Sequence, residues 1–184
     1  MSIEERTRRA VENEIDRLRA VDAGLRTVET EHERPPGAIA GVDPYDGADH
    51  FGGGGIALVR DADALDAVLL VRDADRPDRW ELPGGGREPG EDVRAAAIRE
   101  CREETGYRPR LVAPLACHHD VLIDGGTGDR AHYLGVFYLG EIAGGTRSLP
   151  DEEIVAARWV PVDDPPSGVD SVAAACCDRL AGDD

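Results

Sequence analysis

The chain has 184 residues, a formal charge of −17 and a pI near 4.6. All 21 basic residues are arginine, so the basic footprint of a general nucleic-acid surface is missing. No apolar run is long enough to span a bilayer and no secretory leader is evident. A soluble, cytoplasmic protein without membrane or nucleic-acid partners is expected.

The length suits one domain with a sizeable core and a terminal extension. A lysine-free acidic surface favours adaptation to a salty cytoplasm, where screening weakens the repulsion among so many acids. The plainer alternative is an acidic protein from a GC-rich genome. Cys101, Cys117, Cys176 and Cys177 show no metal-ligand spacing and are expected as reduced, buried thiols.

In chain order, residues 2–28 predict a helix. Val11, Ile15, Leu18, Val21 and Leu25 recur among charges at helical spacing. That helix either forms a homodimer contact or active-site cover, or packs on its own domain; both readings stand. Residues 31–50 read as a linker carrying Pro35, Pro36 and Gly37. The division expected is an N-terminal helix and linker over 1–50 and a main domain over 51–184.

Residues 54–60 and 67–72 predict two strands forming a hairpin, with a turn at 61–66. Trp80 to Pro83 reads as a strand end running into Gly84, Gly85 and Gly86, where bare backbone lets a ligand approach closely. Further strands are expected over 111–120, 131–142 and 154–162, a turn at 125–129, and a closing helix over 169–180. This mixture gives an α/β class, a mixed sheet covered by helices.

The densest chemistry lies in residues 85–107. Glu100, Glu103 and Glu104 share one helical face, since positions i, i+3 and i+4 are neighbours. Like charges so placed destabilise an isolated helix, so something must compensate them. A hard divalent cation is the candidate, because Mg²⁺ is commonly shared between a few carboxylates and substrate phosphates. Ala97, Ile98 and Cys101 form the opposite, apolar stripe, and Gly106 stands where a left-handed C-terminal residue is expected.

This stretch resembles the Nudix box, Gly-x5-Glu-x7-Arg-Glu-U-x-Glu-Glu-x-Gly-U, with U bulky and apolar. Gly85, Glu91, Arg99, Glu100, Glu103, Glu104 and Gly106 fill every fixed position, while Cys101 and Tyr107 stand where aliphatics are more usual. The resemblance to the Nudix (MutT-type) hydrolase family covers about residues 52–162. It implies an α/β/α sandwich and a pyrophosphohydrolase that cleaves a nucleoside diphosphate linked to another group, using Mg²⁺ or Mn²⁺. By similarity, Glu103 and Glu104 are the principal metal ligands, and Glu100 and the Gly84 carbonyl complete the set. Arg99 orients a glutamate, whereas Gly85, Glu91 and Gly106 serve structure.

Relatives often add a carboxylate from a later loop. Within Asp151, Glu152 and Glu153 the choice falls on Glu153. Arg60 and Arg87 are the candidate phosphate contacts, with Arg72 and Arg130 also available. His118 and His119 read as strand-end or surface residues more than as a base, and Trp80 and Trp159 as core residues. The competing function class is a ligand-binding or regulatory module that keeps the fold without turnover. The intact glutamates argue against it.

Overall fold

Strand β2 (Gly52–Val59) is buried at every position, because neighbours flank it on both sides and helices cover both faces. Its side chains alternate between two cores, as the two-residue period of a strand requires. Ile56 and Leu58 enter one, Ala57 and Val59 the other. The structure, a computed structural model of the chain, describes residues 1–39, 52–60, 63, 65–88, 90–149 and 153–182.

On one side β2 runs parallel to β6 (Arg130–Gly145), from Gly52 opposite Leu134 to Val59 opposite Glu141. On the other it pairs antiparallel with the short β4 (Gly84–Gly86) and, at Val59 and Val68, with β3 (Ala67–Asp73). The expected hairpin is therefore reduced to one register pair, with β4 pairing Gly53 to Gly55 on the same edge. β3 continues to β7 (Ile154–Pro161). β6 pairs antiparallel with β5 (Tyr107–Asp124), whose register shifts at three places.

The N-terminal region departs from expectation. Helix α1 (Ile3–Val21) starts at a Ser2–Glu5 capping box and stops short of residue 28. Residues Arg26–Arg34, read partly as helix and partly as linker, form β1, a parallel partner of β5. The segment thus completes the sheet, and the boundary at residue 50 does not separate a detached extension. The sheet order among the described residues is β1-β5-β6-β2-β3-β7, with β4 on β2.

α1 buries Val11 and Ile15 on the same face as α2 (Val93–Thr105), in a core with Leu69, Cys117 and Val136. It packs on its own domain. The other face is closed by α3 (Ser171–Ala181), which buries Val172, Ala173, Cys176 and Cys177. Helices thus lie on both faces of a mixed sheet. All four cysteines are free and buried, and burial pushes the Cys101 and Cys117 thiols up to about 12. Among the described residues no helix is long and apolar enough to cross a membrane.

Candidate functional site

α2 begins at Asp92, whose side chain accepts from the Ala95 N–H, and ends at Gly106 with φ 75°. Its buried face is Ala96, Ala97, Cys101 and Thr105; Ile98, expected in that stripe, is exposed. The small residues bring the helix onto bare backbone. A Cβ on Gly54 would overlap the Val93 carbonyl oxygen and come within 2.8 Å of the Ala97 Cβ. A Cβ on Gly85 would fall 2.5 Å from the Glu100 carboxyl carbon. Glycine at both places lets α2 lie against the β2–β4 ribbon.

Arg99 organises the acidic face. Its Nε and Nη2 donate to Glu91 at 3.1 and 2.9 Å, its Nη2 also to the Gly86 carbonyl at 2.8 Å. Its Nη1 donates to Glu100 at 2.8 Å and to Glu103 at 3.1 Å. The Glu91 hydrogen bonds, then those to Glu100, hold the guanidinium pKa well above its usual range. The same bonds pull the Glu91 carboxyl down. One arginine therefore ties the loop to the helix and offsets the repulsion between two of the three clustered glutamates.

Glu104 turns the other way. It is only 9% exposed, and its Oε2 accepts from the Gly84 N–H at 3.0 Å. Glu100 is half-buried, and burial pushes its carboxyl up, with Arg99 opposing. This face offers hard oxygen donors, one desolvated beyond what its arginine restores, and that chemistry fits a hard divalent cation. In this conformation no three Asp, Glu, His or Cys among the described residues converge closely enough to hold an ion. Arg99 draws Glu100 and Glu103 to itself.

Beyond the glycine ribbon opens a cleft of about 440 Å³. Its floor is the backbone of Gly53, Gly54 and Gly135 with the Phe137 ring; Tyr133 closes one edge, its phenol pushed up to about 12 by burial. Arg76 and Arg79 form one wall and are tied to Glu81 at 2.8 and 2.9 Å. The opposite wall carries His32, His118 and Asp120.

Glu100, Glu103, Glu104, Arg99, Glu91, Gly84, Gly85 and Gly106 are thus brought to one helix and its loop. Arg87 stands beside them, its N–H donating to the Gly52 carbonyl at 3.1 Å. Arg60 is not brought there. It lies past the far end of β2, six residues from Gly54 or about 20 Å along the strand. Its guanidinium sits 4.7 Å from the Trp159 ring. Arg72 is similarly placed over Trp80, and Arg130 pairs with Glu31. Glu153 is exposed at the foot of β7, its carbonyl accepting from the Ala74 N–H. Asp151 and Glu152 lie outside the described residues.

His118 and His119, read together from the sequence, point to opposite faces. His118 lines the cleft, whereas His119 is buried against His132, toward α1. Sequence reasoning missed His32, Asp120, Tyr133 and Phe137. Their only local signal was alternation along strands, which does not say which face holds a cleft.

The profile of the NUDIX domain matches residues 52–175. A Bacillus subtilis protein provisionally named 8-oxo-dGTP diphosphatase is 36% identical over 93 residues, 50% of this chain and 56% of that one. A Mycobacterium tuberculosis protein provisionally named mutator protein MutT4 is 33% identical over 153 residues, 82% of this chain and 55% of its own. The chain thus spans about half the length of these curated relatives. The crystal structure of a MutT NUDIX hydrolase from Burkholderia pseudomallei superposes with a TM-score of 0.52 at 26% identity, over 70% of this chain and 95% of that one.

Proposed function

We propose, on the premise that this chain belongs to the NUDIX family, that it is a divalent-metal-dependent hydrolase of nucleoside diphosphate derivatives. The observation that carries the reading is the carboxylate face of α2, tied through Arg99 and Gly84 to a glycine ribbon, Gly84 to Gly86, that lines a 440 Å³ cleft. The reaction is attack of water at a phosphorus of the pyrophosphate linkage.

Glu100, Glu103, Glu104 and the Gly84 carbonyl would hold Mg²⁺ or Mn²⁺. A bound cation would offset the negative charge of the diphosphate and make water a better nucleophile. The chain's own groups do the remaining work. Arg99 keeps Glu100 and Glu103 on one side of the helix, and both carboxylates must turn from its guanidinium to meet a cation. The Gly84 N–H fixes Glu104 from the other side. A carboxylate oxygen of this face accepts the proton of the attacking water. Gly53, Gly54 and Gly135 let the diphosphate approach backbone, while Arg87, whose side chain lines a second cavity beside Gly52 and Val11, would have to swing toward the loop to supply a cation.

A substrate panel tests the reading: nucleoside triphosphates, dinucleoside polyphosphates and nucleoside diphosphate sugars with Mg²⁺, scored for released phosphate, pyrophosphate or mononucleotide. Cleavage of at least one class is expected; an inert panel with both Mg²⁺ and Mn²⁺ overturns it.

A further inference from the structure

The wall of the cleft opposite the arginines is built partly by β1, which lies outside the matched NUDIX region. Thr30, His32 and Arg34 share one face of that strand by alternation. Thr30 stands opposite Asp120 and two residues past Val28, the partner of His118. The Thr30 hydroxyl donates to Asp120 Oδ1 at 2.5 Å and meets the Nε2 of His118 at 2.8 Å and of His32 at 3.1 Å. Both imidazoles also lie 3.1 Å from Asp120 Oδ1. All three contacts to Asp120 fall on Oδ1, and among the described residues Oδ2 has none.

An acceptor-only carboxylate with a free oxygen repels phosphate and welcomes a hydroxyl. Burial pushes the His118 pKa down, so its ring stays neutral at pH 7 and adds no charge for an anion. The facing guanidiniums are already committed, Arg76 to Asp73 and Glu81, Arg79 to Glu81 and Asp170. Arg34, on the same face of β1, also lines the cleft and adds a cation, so the hydroxyl-seeking part of this wall is the cluster around Asp120. It also lies at the right reach. From Gly86 through Gly53 and Gly135 to His118 is three strand spacings, or roughly 14 Å.

We propose that Asp120, with Thr30, His118 and His32, recognises a sugar bearing vicinal hydroxyls attached to the diphosphate, and that β1 is therefore a substrate-recognition strand. The proposal rests on the hydrolase reading above. The diol has two sources, the ribose of the nucleoside or a second sugar beyond the pyrophosphate.

The test uses the full chain with Mg²⁺ and three substrates: ADP-ribose, its analogue lacking the adenosine 2′-hydroxyl, and its analogue lacking the distal 2-hydroxyl. Removing one of these hydroxyls should lower kcat/KM by about tenfold or more, chiefly through KM, and the analogue affected identifies the source. Asp120→Asn should shrink that preference, and Thr30→Val should do the same by freeing Asp120 to turn. The analogue comparison needs no variant, so misfolding of either one leaves the proposal exposed to refutation. Equal kcat/KM on all three substrates overturns it while hydrolysis stands. If ADP-ribose is not cleaved, equal kcat/KM on ribonucleoside and 2′-deoxyribonucleoside triphosphates overturns it too, and an inert panel overturns the hydrolase reading along with it.

Discussion

Arg99 holds Glu91 by two near-parallel hydrogen bonds, Nε to Oε1 at 3.1 Å and Nη2 to Oε2 at 2.9 Å. The pair spans eight residues and joins the loop before α2 to the helix itself. Glu91 also accepts from the Glu88 N–H at 3.0 Å, so its work is to close the loop.

Glu91→Gln should therefore lower stability more than activity. Replacing a charged acceptor of this kind costs about 1–3 kcal/mol. At roughly 2–4 °C per kcal/mol for a chain of this size, the melting temperature should drop by several degrees. Turnover should stay measurable. A variant that melts normally yet is inactive would move Glu91 among the groups that act on substrate.

Acidification should loosen the docking of α1. His132 Nδ1 is 2.7 Å from His119 Nε2, and the His132 N–H donates to the Thr7 hydroxyl of α1 at 2.9 Å. Burial, then His119, Arg8 and Arg130, push the His132 pKa below its usual value of about 6.5, with Glu4 opposing. Glu29 faces the far side of His119 at 3.1 Å. The unfolded chain then binds more protons than the folded one. Stability is complete above about pH 6.5 and is lost as pH falls through the window beneath it. Melting temperatures between about pH 7.5 and pH 5.5 should fall further for the wild type than for His132→Asn. Parallel declines would contradict this.

Gly54→Ala should disturb the site through packing. Its Cβ would meet the Val93 carbonyl and the Ala97 methyl, so α2 must lift from β2. Overpacking of this kind costs about 1–3 kcal/mol. Gly86→Ala has open space within 4 Å and should change stability by less than about 0.5 kcal/mol. Equal melting temperatures for the two variants would mean α2 does not depend on that close approach.

Most of the architecture was legible because its strands are apolar and local. Residues 131–142 and 154–162 carry alternating or continuous apolar side chains between turn signals; the first fall within β6, and the second match β7 but for one residue at its end. The box was legible because its chemistry needs fixed spacing on one helix. β1 was not legible. Its residues RTVETEHER are polar on both faces, since it is an edge strand whose inner face looks into a cleft and whose partner β5 lies ninety residues away, as at Arg26 and Ala116. The cleft wall was hidden for the same reason. Thr30 and Asp120 meet only once the sheet has formed. Arg60 misled because sequence gives no direction along a strand, and β2 carries it away from the glycines.

On the proposed reading, the acidic face of α2 performs metal-dependent hydrolysis. Glu104→Gln tests it most directly, because glutamine keeps the size and can still accept from the Gly84 N–H while losing the charge. Turnover of a nucleoside diphosphate derivative should be measured at saturating Mg²⁺ and again in excess chelator, beside the melting temperature of each protein in chelator. Turnover should fall about 100-fold or more in the variant and be abolished by chelator in the wild type, with little change in melting temperature. Unimpaired turnover in Glu104→Gln, or full wild-type activity in excess chelator, would contradict this reading.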